Sequence, residues 1–318
     1  MSRTRVTVIG GGANCEHEVG LASAASVAAA LDHDRYVVDC LTIAPDGRWL
    51  GSDGSPLASG MAGALDRLAH TDVVFPAVHG PRGEDGTLAA LCVLAAVPFV
   101  GSGVRSGALA MDKWATKLVA EAVGVRTAGG ALVRAGDAPQ VELPVVVKPV
   151  EAGSSFGVSL VEHAEQLAPA LAAALALDDR VLVEPVVHGR EVDVAVLRRA
   201  DGSLLVGPPL EIEVAPGGLF DTTAKYDGSA RFVIPAHLSP AELECLTTAA
   251  TAVFEALGCE GVARVDFFLT ADGPVLNEVN TMPGMTRHSQ VPRIFAAAGV
   301  DYPDLLDLLV SAALARAA

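Results

Sequence analysis

Aromatic residues are scarce in this chain of 318 residues, with two Trp, three Tyr and nine Phe. Its core must therefore be assembled mainly from Val, Leu and Ala, which fill space through many small contacts. Basic residues are also few, 22 Lys and Arg against 38 Asp and Glu, for a formal net charge of -16. Nucleic acid is held by neutralising its phosphates, so this balance excludes that partner and makes the acidity a matter of solubility. Cysteine is limited to five residues, Cys15, Cys40, Cys92, Cys245 and Cys259, an odd and widely spaced set with no CxxC pair. Neither a disulfide framework nor a zinc site is indicated, and a reduced, cytoplasmic setting is expected. Long apolar runs are missing too. The longest, Leu88 to Val97, halts at Pro98, short of the ~20 residues that a membrane span requires. Only four residues separate Arg5 from Gly10, too few for the apolar region of a signal peptide.

What is present is a globular composition, 51% hydrophobic and 19% charged, in a chain long enough for two or three lobes. Val6-Thr-Val-Ile reads as a strand, followed by a glycine loop and an Ala-rich helix over Leu21 to Leu31. That order invites a dinucleotide-binding reading, and an NAD-dependent oxidoreductase stays open. The fingerprint is broken, however, because Cys15 stands where a third glycine belongs after Gly10 and Gly12. Glu16 and Glu18 in this loop suit an ammonium group better than a pyrophosphate. Further strands at Tyr36 to Ile43 and Asp72 to Val78 give a βα alternation, which predicts a parallel sheet covered by helices. The loop His79-Gly-Pro-Arg-Gly-Glu-Asp-Gly lies where such sheets bind ligands, although turn and capping chemistry equally accounts for His79, Glu84 and Asp85.

A helix over Ser106 to Val123 carries Lys113 and Lys117 on one face, the pattern of a solvated surface. Val145-Val-Val-Lys places Lys148 at a strand end before the Gly/Ser loop from Glu151 to Val158, a candidate phosphate clamp without the order of a Walker loop. Glu184 and Glu191 read as edge charges that discourage strand pairing. Gly217 to Ser229 is a long irregular segment and a candidate lid. Ser239-Pro-Ala-Glu is a capping box that launches a helix to about Leu257, and a last helix spans about Pro303 to Ala315.

The strongest chemical pattern is a hairpin. Arg264-Val-Asp-Phe-Phe-Leu and Val275-Leu-Asn-Glu-Val-Asn read as strands joined by a turn, and alternation puts Arg264 and Asp266 on one face, with Glu278 and Asn280 on one face of the returning strand. Two carboxylates and an amide are hard oxygen donors of the kind that hold Mg²⁺ beside phosphates. The polar loop Thr281 to Ser289 follows at once, in the position where chemistry tends to sit.

Taken together and in order, the stretches GGGANCEHEVGLASA, VVFPAVHGPRGEDGTL, VPFVGSGVRSGALAMDK, VVVKPVEAGSSFGVS, AKYDG, ARVDFF and LNEVNTMPGMTRHS resemble the D-alanine:D-alanine ligase family of the ATP-grasp superfamily. The resemblance runs essentially end to end. It implies an α/β fold of three lobes, residues 1–101, 102–186 and 187–318, the latter two clamping ATP. The implied reaction joins two D-amino acids through an acyl phosphate, with catalysis by positioning and electrostatic stabilisation. By this resemblance, Asp266, Glu278 and Asn280 hold two Mg²⁺ ions, with Mn²⁺ able to substitute. Lys113, Lys148 and the lid residue Lys225 contact phosphates, Glu184 the adenine edge and Glu191 the ribose. Glu16, supported by His79, pairs with the first substrate's ammonium. Arg264 and the backbone N–H of Gly284 form an oxyanion hole, and Ser289 takes the second substrate's carboxylate. Ser154 and Tyr226 link to Glu16 and close the lid against water. A homodimer acting on small molecules in the cytoplasm, away from membranes, in peptidoglycan synthesis, is the expected setting.

Departures from the family pattern mark where substrate choice is open. Gly20 replaces a serine, Pro185 a lysine, and Thr222 and Thr223 an aromatic and an acidic residue. Gln290 follows Ser289 in place of leucine, beside the second substrate, where a buried amide requires a polar partner. A ligase of specialised metabolism such as antibiotic biosynthesis, including a cyclising one of the D-cycloserine type, is therefore the alternative. A silent ATP-binding protein is a further one.

Overall fold

The computed structural model describes residues 3–153, 155–213 and 231–317. Ser154, Thr222, Thr223, Lys225 and Tyr226, and with them the lid segment, lie outside the described residues.

The first sheet contains β1 (Thr4–Gly11), β2 (Tyr36–Ile43), β3 (Trp49–Leu50) and β4 (Val73–Pro76) in the order β3-β2-β1-β4. β1 runs parallel to β2 and β4, as the alternation predicts, and the short β3 adds an antiparallel edge. β4 is apolar and buried throughout, and β1 is buried from Val6 onward, as expected of strands covered on both faces. Helices α1 (His17–Ala30), α2 (Met61–Leu68) and α3 (Thr87–Leu94) belong to the same region. α1 begins four residues before the Ala-rich stretch, so Glu16 stands at its N-cap position. A Cβ on Gly20 would lie 2.3 Å from the carbonyl oxygen of Gly11, so the close crossing of α1 over β1 requires the glycine that replaces serine here.

The predicted helix over 106–123 is two helices, α4 (Val104–Met111) and α5 (Lys113–Ala122). Asp112 is extended between them, and its Oδ1 accepts from the Ala115 N–H at 2.8 Å, a side-chain cap that starts the second helix. The solvated-face reading of Lys113 and Lys117 is overturned, since they are only 9% and 4% exposed. After the break, α5 buries one face that carries Lys113, Thr116, Lys117 and Ala120 and packs near the helix over Pro240–Leu257 and the strand over Gly273–Asn280.

The second sheet has β5 (Ala131–Val133), β6 (Val145–Pro149), β7 (Ser159–Val161) and β8 (Val181–Pro185), antiparallel in the order β5-β8-β6-β7. Helix α6 (Ala164–Leu175) covers it over a core of Val133, Val147, Val161, Ala174 and Val183. Because β8 is an interior strand, Glu184 is not an edge charge; it lies opposite Val146 and thus diagonal to Lys148 on one face.

The third sheet has six strands: β9 (Arg190–Arg198), β10 (Leu204–Val206), β11 (Leu210–Glu213), β12 (Arg231–Val233), β13 (Val262–Thr270) and β14 (Gly273–Asn280). Its order is β12-β11-β9-β13-β14, with β10 also on β9. One face is packed by α7 (Pro240–Leu257), whose Leu246, Val253 and Phe254 meet Val194, Val265 and Phe267. The capping box forms as read, and Gly258 ends the helix in the left-handed region. The opposite face meets α8 (Gln290–Ala297) and α9 (Tyr302–Ala317) in a core shared with Val6, Val8 and Phe75 of the first sheet. α8 starts directly after Ser289, the last residue of the predicted loop, in a stretch to which the sequence reading assigns no element. Among the described residues, no helix is long and apolar enough to cross a membrane.

Candidate active site

The hairpin forms as predicted, and its register carries more than the sequence discloses. Asp266 of β13 lies opposite Glu278 of β14 on one side and opposite Asp193 of β9 on the other. Three carboxylates thus stand abreast across adjacent strands, an arrangement that repels unless cations intervene. Arg264, two pairs along and opposite Asn280, supplies the protein's own cation. Its Nε and Nη2 donate to the two oxygens of Asp266 at 2.7 and 2.8 Å, a bidentate fork. Asn280 Nδ2 donates to Asp266 Oδ2 at 3.0 Å. Burial opposes the charged guanidinium, yet Asp266 and Asp193 outweigh it and raise Arg264 above its ordinary range. Burial first, and then the charge of Asp266, push Asp193 well above the carboxylate range. The oxygen-only donor set of Asp266, Glu278 and Asn280 fits a hard divalent cation such as Mg²⁺ or Mn²⁺.

One participant here escaped the sequence reading. Asp193 sits in the apolar run Val192-Asp-Val-Ala-Val of β9, where an acid flanked by buried valines was the available sign. Gln290 is not left without a partner: Arg264 Nη1 donates to its Oε1 at 2.6 Å, and its Nε2 donates to Asp193 Oδ2 at 2.7 Å.

A second cluster gathers the lysines. Glu184 is buried, with Lys117 Nζ 2.8 Å from Oε1 and Lys148 Nζ 2.8 Å from Oε2. Lys148 also donates to Asn277 Oδ1 at 3.2 Å. Burial disfavours the charged carboxylate, but Lys148 and Lys117 hold Glu184 below its ordinary value. Burial and the neighbouring Lys148 lower Lys117. Two ammonium groups on one buried carboxylate leave surplus positive charge, which an anion would balance. Lys113 donates to the Ala152 carbonyl at 2.6 Å and lies 3.6 Å from Glu278 Oε2, between the lysine cluster and the carboxylate row. Lys117 was missed as a site residue, because a lysine pair four apart looks the same on a wet helix face. Glu191 lies half-buried on β9, opposite Phe268 and Ile212.

Glu16, Lys113, Gly153, Glu278 and Asn280 line one cavity of about 40 Å³. The Glu16 carboxylate is gripped by glycines: a Cβ on Gly80 or Gly153 would lie 2.2 or 2.4 Å from its Oε2. Asn14 fixes the loop, accepting from the Glu16 N–H at 2.8 Å and donating to the His79 and Pro81 carbonyls at 2.8 and 2.7 Å. His79 is tied to the loop that carries Glu16 through its carbonyl, and the charge of Glu16 also acts on its ring. The imidazole points elsewhere, with Nδ1 2.7 Å from the Met282 carbonyl and Nε2 2.8 Å from Ser23 Oγ. Burial lowers His79, so the ring is neutral: Nδ1–H donates to Met282 and Nε2 accepts from Ser23, whose Oγ accepts from the Met285 N–H at 3.2 Å. Glu84, read as turn chemistry, also ties loops together, accepting from Gly80 N–H at 2.8 Å and Met282 N–H at 2.9 Å. In the loop so held, Ser289 Oγ accepts from the Thr286 N–H at 3.1 Å, and a Cβ on Gly284 would come within 3.0 Å of that oxygen.

Comparison with known proteins identifies the chain's relatives. Residues 5–102 match the family model "D-ala D-ala ligase N-terminus" and residues 132–311 the model "D-ala D-ala ligase C-terminus". The chain is 42% identical to a D-alanine–D-alanine ligase of Mycolicibacterium smegmatis, over 99% of this chain and 96% of the relative. Among solved structures, the VanG D-Ala:D-Ser ligase from Enterococcus faecalis superposes with a TM-score of 0.86 at 31% identity, covering 98% of this chain and 100% of that one. The D-alanine–D-alanine ligase from Bacillus anthracis complexed with ATP superposes with a TM-score of 0.82 at 26% identity, covering 99% and 98%.

Proposed function

The chain belongs to the D-alanine–D-alanine ligase family, with the ATP-grasp fold, and we propose from this that it makes D-alanyl-D-alanine from two D-alanines, converting ATP to ADP and phosphate. It is an ATP-dependent ligase that uses ATP and a divalent metal. The observation that carries the reading is the single cavity onto which Glu16, Lys113, Glu278 and Asn280 converge, since an ammonium, a phosphate and a metal would have to meet there. Glu16 takes the ammonium of the first D-alanine. The carboxylate of that substrate accepts the γ-phosphoryl group, giving an acyl phosphate and ADP; the amine of the second D-alanine then attacks the carbonyl, phosphate leaves, and the amine loses a proton. Lys113, Lys117 and Lys148 neutralise phosphate oxygens, for which the surplus charge around Glu184 is the support. Arg264 and the Gly284 N–H stabilise the oxyanion, and Ser289 holds the second carboxylate. Asp266, Glu278 and Asn280 would hold two Mg²⁺ ions, whose chemistry is to offset charge on the phosphates.

Ser154, Lys225 and Tyr226 complete the site by their match to the family pattern, and Glu184 and Glu191 face the nucleoside. The lobes are taken as 1–101, 102–186 and 187–318. We place the enzyme in the cytoplasm, as a homodimer, supplying a peptidoglycan precursor. The altered-substrate alternative rested partly on Gln290, and the bonding of both ends of its amide to Asp193 and Arg264 removes that support. The test is to supply Mg-ATP with D-Ala, D-Ser, D-lactate or L-Ala, singly and in pairs, and to measure phosphate release and product mass. Equimolar phosphate and D-Ala-D-Ala are expected from D-Ala alone; absence of the dipeptide at saturating D-Ala would overturn the reading. A product lighter than a single amino acid by one water would establish cyclisation instead.

A further inference from the structure

The guanidinium of Arg264 is held from two sides, and only one of them belongs to the metal-type ligands. Its Nε and Nη2 lie on Asp266. A fork of this kind fixes the in-plane direction of the group but leaves the plane able to rock about the carboxylate. Nη1 lies instead on Gln290 Oε1 at 2.6 Å, Gln290 Nε2 lies on Asp193 Oδ2 at 2.7 Å, and that same oxygen is 3.4 Å from Arg264 Nε. Asp193 is 3% exposed, so this bracket is anchored in the sheet and does not sway with solvent. Of the five N–H bonds of a guanidinium, three are used here, leaving two to meet a substrate oxygen. Gln290 has both ends of its amide turned toward Arg264 and Asp193, although it follows the residue taken to hold the second carboxylate.

We propose that Asp193 and Gln290 are positioning residues, a bracket that holds Arg264 in its catalytic orientation, and that Gln290 does not select the second substrate. The inference rests on the oxyanion role of Arg264 given above. A cation bound at Asp266 competes for the oxygens that Arg264 grips, and the bracket supplies the partners that Arg264 keeps. Asp193 then remains as the buried anchor of the Gln290 amide, and Gln290 as the hydrogen-bond acceptor that fixes the plane.

The experiment uses Gln290→Leu and the near-isosteric Asp193→Asn, each in the full chain. The Arg264 Nε–H resonance is followed by arginine-¹⁵N NMR with and without Mg²⁺, and is assigned by its loss in Arg264→Lys. Hydrogen exchange at that site should accelerate ~10-fold or more in both variants, as a buried hydrogen-bonded group becomes loosely held. With D-Ala and Mg-ATP, kcat should fall ~10–100-fold, the scale of a displaced oxyanion donor. KM for ATP should stay within ~2-fold, and the order of preference among D-Ala, D-Ser and D-lactate should not change. In an Arg264→Lys background, Gln290→Leu should cause no further loss. Unchanged exchange at Arg264 in both variants would overturn the bracket. So would a switch of second-substrate preference without a change at Arg264, which would make Gln290 a reader of substrate. If the parent enzyme makes no dipeptide, the functional reading fails while the exchange measurement still decides the bracket.

Discussion

Glu84 accepts two backbone N–H groups, which favour its charged form, yet burial and the charge of Glu16 prevail and push its carboxyl up to about 8. An unfolded chain releases this proton at the ordinary value of ~4.3, so between there and the folded value the native protein binds more protons. The stabilising contribution is therefore complete below the unfolded value and is lost as pH rises through about 8. In metal-free buffer, denaturant titrations at pH 5 and pH 8 should show the parent losing more stability over that interval than Glu84→Gln; equal losses would mean that Glu84 is ionised throughout. At this scale the sequence was legible where chemistry coincided with periodicity. Asp266, Glu278 and Asn280 could be read because strand alternation gives each strand of the hairpin one ligand-bearing face and the short turn brings the two strands together. Asp193 and Lys117 could not, since their partners come from strands and helices far away in the chain, and only burial separates a working acid or lysine from a solvated one. His79 was identified as important, but its ring serves Met282 and Ser23 while its carbonyl serves the Glu16 loop, a division that residue type does not encode.

At the scale of elements, the break between α4 and α5 controls where the lysines point. Asp112 caps α5 and also receives Arg180 Nη1 at 2.7 Å, tying the cap to the end of the second sheet. Asp112→Ala should lower stability by ~1–2 kcal/mol, the usual cost of a lost N-cap, and should raise KM for ATP more than KM for D-Ala by freeing Lys113 and Lys117 to turn. Urea titration and steady-state kinetics check the two parts, and equal effects on both KM values would separate the cap from the nucleotide site. The parallel first sheet, the hairpin and the capped α7 were all visible in advance, through βα alternation, period-two patterning and Ser239-Pro-Ala-Glu. The break at Asp112 was not, because apolar spacing continues across it. α8 was hidden by the Gly/Pro character of the loop that precedes it.

For the whole molecule, ligands that bridge distant elements should act as fasteners. With Mg²⁺ and a non-hydrolysable ATP analogue at ~100 times their dissociation constants, linkage predicts about 2.7 kcal/mol of stabilisation, visible as a rise of several degrees in Tm. Asp266→Ala should lose the Mg²⁺-dependent part of that rise and all phosphate release; retention of either would refute its metal role. The glycine grip on Glu16 has a consequence of the same reach. Gly80 follows β4 of the first sheet and Gly153 follows β6 of the second, so one carboxylate works as a feeler gauge between two bodies of the protein. Its seat is snug only while both loops stay at their present spacing, and a shift of either by the width of a methyl group would leave it slack. If Glu16 takes the first amino acid's ammonium as proposed, binding that group and registering the spacing of the two loops fall to the same carboxylate.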